Sequence, residues 1–238
     1  MPPIPASDSP TVTENVQFPA GEHLLHGELS YPETGLARGV VVIAGPHPLL
    51  GGNMQNNVVR CLGGGLAQMG FMTLRFDYRG VGQSEGPRID TAEHVAEFWQ
   101  TSHVSHEMDF WRDVQGAVEF AGQTSPDLPL ALVGYSFGCA LLPQVRPKQD
   151  LNGIVLIAPT VAKHDYDTFH SVTSPLLVVA SEDDFATDGA RLDDWFNKLR
   201  MPGRLVRKQC DNHFFRGHED WLTETVFQFL TAVEGHDE

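Results

Sequence analysis

Residues 130–138 read LALVGYSFG, an apolar run that closes on Gly-x-Ser-x-Gly. Leu130-Ala131-Leu132-Val133 reads as a buried strand, and the Cys139-Ala140-Leu141-Leu142 stretch reads as the start of a helix. A chain that passes from strand to helix in so few residues crowds its apex. Only very small residues two before and two after Ser136, here Gly134 and Gly138, relieve the clash. The segment therefore predicts a strand–sharp turn–helix unit with a serine hydroxyl projecting from the apex. The helix N-terminus behind it places partial positive charge where an oxyanion would develop. An ordinary glycine-rich turn has the same pattern, so the rest of the chain has to decide.

A nucleophilic serine needs a base, and the base needs an orienting carboxylate. Beyond Ser136, Pro175–Ser181 is a strand candidate with Glu182, Asp183 and Asp184 at its carboxyl end. GRLVRKQCDNHFFRG follows, a weaker strand leading to His213. Serine, acid and histidine thus occur in one of the chain orders that such a site uses, with acid and histidine each just past a strand. His218 competes with His213 but reads as a residue leading into the final helix.

Three further segments extend the pattern: PHPLLGGNMQN at 46–56, LRFDYRGVGQSEG at 74–86 and NHFF at 212–215. With them the chain resembles an α/β-hydrolase over about residues 16–233, and within that superfamily the small lidless bacterial esterases and dienelactone-hydrolase-like members. The resemblance implies a mostly parallel twisted sheet with helices on both faces and no large lid domain. Relatives usually place the acid three residues after a glycine. Ser181 holds that glycine's position here, which selects Asp184 over Asp183, with Glu182 last. One oxyanion donor is expected to be the N–H of Phe137, the residue after the nucleophile. The other should come from Gly45-Pro46-His47-Pro48-Leu49, where the prolines have no N–H; both this chemistry and the resemblance point to His47, with Leu49 the runner-up. Many relatives carry a histidine where this chain has Gly45. The His47 backbone is the expected functional part, and its imidazole is read as idle.

The implied activity is hydrolysis of carboxylic esters through an acyl-enzyme. His213 takes the proton of Ser136, and Asp184 holds the imidazole in the required tautomer. Activity should fall as pH drops through a histidine pKa of about 6.5. A thioesterase, peptidase or acyltransferase could use the same residues, and a non-catalytic binding protein of this fold is the remaining class. Lid domains on this fold usually enter between the strand ending near Pro159 and the one starting at Pro175. Only TVAKHDYDTFHSVTS lies there, which predicts an open site and short to medium acyl chains. Residues 87–106 read either as a cover with Phe98 and Trp99 as pocket walls, or as a plain surface helix.

The remaining readings set limits. The formal net charge of −15 disfavours nucleic acid and anionic membranes as partners, leaving a small-molecule acyl substrate. No stretch reaches the length of a membrane span, and no secretory signal is legible at the start. Cys61, Cys139 and Cys210 are odd in number and lack metal-type spacing, which suits reduced thiols in a cytoplasmic protein. Cys139 belongs in the first turn of the helix, off the apex. The histidines show no HExxH, so no metal cluster is expected, and the chemistry calls for no cofactor. Oligomeric state is not legible. Residues 1–14 read as a disordered leader before one domain over 15–238. That domain opens with a hairpin over 16–31. Its strands fall at 40–44, 72–78, 130–135, 154–158 and 176–181, and its helices at 54–69, 105–121, 188–199 and 219–233. Gly63-Gly64-Gly65 weakens the first helix and implies close packing. Pro143 implies a short or kinked helix behind Ser136. Asp77 and Arg79 are candidates to pair with each other, and Ser84 reads as a turn residue.

Overall fold

The computed structural model describes residues 10–210 and 212–234. β1 (Thr11–Ala20) and β2 (His23–Pro32) form an antiparallel hairpin. β3 (Val40–Ala44), β4 (Met72–Phe76), β5 (Leu130–Tyr135), β6 (Leu151–Ile157), β7 (Leu176–Ser181) and β8 (Gly203–Lys208) are mutually parallel. All eight join in one sheet of order β1-β2-β4-β3-β5-β6-β7-β8, with β2 antiparallel to β4. The helices are α1 (Asn57–Gln68), α2 (Thr91–Thr101), α3 (Trp111–Thr124), α4 (Phe137–Leu141), α5 (Gly189–Asn197) and α6 (Glu219–Glu234).

The central strands are apolar throughout because both of their faces are covered. Val40, Val42 and Ala44 of β3, with Leu130 and Leu132 of β5, join the core that holds Val114 and Ala117 of α3 and Leu192 of α5. The intervening Val41, Ile43, Ala131, Val133 and Tyr135 join the opposite core, with Val58 and Leu62 of α1 and Leu222 and Val226 of α6. This is the period-two alternation of a strand buried on two sides. Of the three α1 glycines, Gly65 packs so closely on α6 that a Cβ there would lie 2.6 Å from Thr223 Cγ2. Gly63 abuts the Arg75 side chain, whereas Gly64 faces open space.

Several sequence expectations need correction. The leader cannot extend to residue 14: β1 begins at Thr11, which pairs with Pro32, because the long β2 supplies a hydrogen-bonding edge. Residues 1–9 lie outside the described residues. The helix expected from residue 105 starts at Trp111. His106, at φ 60°, breaks it, and a 3-10 turn over Glu107–Phe110 intervenes while the Glu107 carboxylate turns inward. Arg79 does not pair with Asp77. Its Nε lies 2.8 Å from Asp113 Oδ1 on α3, and its N–H donates to Oδ2 at 2.7 Å. Asp77 instead accepts from the Met54 N–H at 2.8 Å. Ser84 is structural, donating to the Asp77 carbonyl and accepting from the His26 N–H. Pro143 acts as expected: α4 stops at Leu141 and Pro143 sits in a following 3-10 turn.

Candidate active site

Ser136 stands between β5 and α4 with φ 56° and ψ −119°, a conformation that costs a non-glycine residue and persists only where its surroundings impose it. Those surroundings are tight. A Cβ on Gly134 would lie 2.7 Å from the Cys139 backbone N, and one on Gly138 would overlap the Ala44 carbonyl oxygen. The Ser136 N–H donates to the Ile157 carbonyl at 2.8 Å, so the turn is anchored to β6. Cys139 is buried off the apex, with its thiol against the Gly134 and Ile157 carbonyls and its pKa pushed up by burial.

The fold brings Ser136, His213 and Asp184 into one line. Ser136 Oγ lies 3.0 Å from His213 Nε2, and His213 Nδ1 lies 2.8 Å from each Asp184 carboxylate oxygen. The Asp184 side chain has no solvent exposure. It also accepts from the Ala186 N–H at 2.7 Å, and Thr187 Oγ1 lies 3.2 Å away. Asp183 is exposed and makes no such contact. The His213 loop is held at its carbonyl by the Tyr135 hydroxyl at 3.2 Å, and the adjacent Phe214 carbonyl accepts from Asn57 Nδ2 at 2.7 Å. Phe185, 75% exposed, leans on the His213 ring with centroids 4.9 Å apart.

Phe137 opens α4, where a backbone N–H has no acceptor within its own helix. His47 precedes the 3-10 turn Pro48–Leu50, and its carbonyl accepts from the N–H groups of Leu50 and Gly52. Its imidazole, set aside in the sequence reading in favour of the backbone, makes contacts of its own. The ring is buried, stacks on Phe137 with centroids 4.1 Å apart, and places Nε2 2.8 Å from Glu107 Oε2. Burial lowers its pKa against the opposing pull of Glu107.

Glu107 is the residue that sequence reasoning missed. Besides His47 it meets the Val104 N–H at 3.0 Å, His103 Nδ1 at 3.3 Å and His164 Nε2 at 3.3 Å. Burial would raise its pKa, but the adjacent His164 and His47 rings and the Val104 N–H outweigh it and hold the carboxyl well below the usual range. The sequence reading expected no metal cluster because no HExxH is present; the fold brings His164 of the β6–β7 connection against His103 and Glu107, which stand four residues apart on one segment. The crowd of histidines at 94–106 was the one legible hint. Within α2, Trp99 is 81% exposed and is no pocket wall, while Phe98 is half-buried beneath the Lys163 ammonium. An apolar groove of about 690 Å³ lies at the amino ends of β5–β8, the opposite end of the sheet from Ser136.

A mostly parallel sheet, a serine on a strained strand-to-helix turn, and a histidine and carboxylate beyond the last two strands define an α/β-hydrolase. Within that class, the family model described as serine aminopeptidase, S33, matches residues 38–182, and the chain belongs to that family. It is similar to an α/β serine hydrolase homologue from Coxiella burnetii: 25% identity and TM-score 0.74, over 91% of this chain and 97% of the other. A serine hydrolase without lid from Xanthomonas campestris shares its fold at 23% identity and TM-score 0.72, over 94% and 95%. Dienelactone hydrolase from Anabaena variabilis does so at 19% identity and TM-score 0.71, over 93% and 98%. The family and fold make the chain a hydrolase without an evident lid. Among the described residues no helix is long and apolar enough to cross a membrane.

Proposed function

We propose that the chain hydrolyses carboxylic esters of short to medium acyl length through Ser136, His213 and Asp184. The observation that carries this reading is the continuous hydrogen-bonded line from Ser136 Oγ through the His213 ring to the buried Asp184 carboxylate. His213 Nε2 accepts the Ser136 proton as Oγ attacks the acyl carbon. Asp184 receives Nδ1–H and stabilises the imidazolium. The N–H groups of Phe137 and His47 donate to the tetrahedral oxyanion. His213 returns the proton to the departing alcohol, and water activated by the same nitrogen releases the acyl group. These steps use side chains and backbone amides alone.

The 18 residues at 158–175 between β6 and β7 carry one short 3-10 turn, Asp167–Ser171, which supports an open site. Three free thiols suit a reducing, cytoplasmic setting, and the acidic balance suits small molecules over nucleic acid. The family description favours one second reading, an aminopeptidase on the same residues.

Labelling with a fluorophosphonate probe tests the nucleophile: wild type should label and Ser136→Ala should not. p-Nitrophenyl esters from acetate to decanoate should turn over with rates that fade as the acyl chain lengthens. Faster turnover of aminoacyl p-nitroanilides than of esters would transfer the assignment to the aminopeptidase. Folded wild type that neither labels nor turns over either series would remove the catalytic reading.

A further inference from the structure

We infer that His103, Glu107 and His164 form a binding site for a divalent transition-metal ion, zinc foremost, beside the candidate nucleophile. His103 Nδ1 and His164 Nε2 each lie 3.3 Å from the same oxygen, Glu107 Oε1, and all three atoms fall within 4.8 Å of one another. Donors bound at 2.0–2.1 Å around a tetrahedral ion stand about 3.3–3.4 Å apart. The two spacings to Oε1 are therefore long for a charge-assisted hydrogen bond and match those of donors sharing an ion. Two imidazoles and a carboxylate select zinc and its neighbours over magnesium or calcium, and leave a fourth position for water.

The surrounding contacts aim the donors. The His164 side chain is 7% exposed, and its Nε2 has no hydrogen-bond partner. Its other nitrogen, Nδ1, lies 2.8 Å from Thr160 Oγ1. A proton held on Nδ1 leaves the Nε2 lone pair facing a carboxylate, an arrangement that a cation between them resolves. The second Glu107 oxygen, Oε2, is engaged by His47 Nε2 and the Val104 N–H, so Oε1 alone is presented. The loop bearing His103 is set by left-handed residues on both sides, Ser102 at φ 64° and His106 at φ 60°. It is pinned by Glu97, whose Oε1 accepts from the Ser105 N–H and hydroxyl. An ion there would tie this loop to the β6–β7 connection and, through His47 and its stack on Phe137, to the loop beside Ser136.

Calorimetric titration of the metal-stripped full chain with zinc chloride tests the site. Wild type and His23→Ala, whose histidine opens β2 outside the cluster, should each take up one equivalent. His103→Ala and Glu107→Gln should bind more than about tenfold more weakly. Zinc should raise the melting temperature of wild type and leave that of His103→Ala unmoved. Cobalt-loaded wild type should show the visible absorption of a four-coordinate site, and His103→Ala should lack it. His103 is half-exposed, so its variant decides even where Glu107→Gln fails to fold. Equal zinc affinity in wild type and His103→Ala, or no uptake by wild type, would overturn the site and leave the cluster held by protons alone.

Discussion

Asp183 and Asp184 are the same residue type in adjacent positions, and only their surroundings separate them. The Asp184 side chain is fully enclosed and meets His213 Nδ1 at 2.8 Å, while Asp183 is exposed. Asp184→Asn should therefore lower kcat by about 10⁴, through loss of the required imidazole tautomer, while Asp183→Asn should stay within about twofold. Steady-state ester kinetics of the two variants check this, and equal losses would withdraw the assignment. The Ser–acid–His order was legible because each group sits just past a strand, where loops carry chemistry. The choice between the two aspartates depends on side-chain direction, which needed family likeness before coordinates. Glu107 and Asp113 were illegible for a related reason: their partners His164 and Arg79 lie far away in sequence.

At the scale of elements, β5 and β7 match their sequence readings because strands buried on both faces are mostly apolar runs, and each here follows a proline. The start of α3 was hidden because a left-handed His106 and an inward Glu107 break a segment whose periodicity remains helical. The glycine triplet of α1 shows how position decides the meaning of one residue type. Gly64→Ala, facing open space in a helix interior, should stabilise the protein by about 0.5–1 kcal/mol through reduced freedom of the unfolded chain. Gly65→Ala would drive a methyl to 2.6 Å from Thr223 Cγ2 and should destabilise it by about 1–3 kcal/mol by parting α1 from α6. Urea midpoints with unchanged slopes would report both effects. A stabilising Gly65→Ala would mean that the two helices are not in the contact described.

Over the whole molecule, the Arg79–Asp113 pair ties the loop after β4 to α3 and makes global stability depend on pH. Asp113 is 1% exposed, and burial raises its pKa from 3.8 to about 6, against the opposing pull of the Arg79 N–H and guanidinium. The folded chain then holds a proton on this carboxyl in a pH range where the unfolded chain has already released it. Folded-state proton uptake adds stability below the unfolded pKa, and that contribution disappears as pH rises through the folded pKa. The Asp113 contribution should thus be full below about pH 4 and gone above about pH 6.5, a change of about 3 kcal/mol. An asparagine side chain does not titrate, so the difference in unfolding free energy between wild type and Asp113→Asn isolates this carboxyl from the rest of an acidic chain. Urea denaturation of both at several pH values should show that difference moving against wild type as pH rises, then levelling near neutrality. A difference that stays flat from about pH 4 to 6.5 and moves toward wild type only as pH rises below that range would mean that the Arg79 charge outweighs burial. The pair would then be ionised from about pH 4 upward, and its link between the β4 loop and α3 would not weaken toward neutrality.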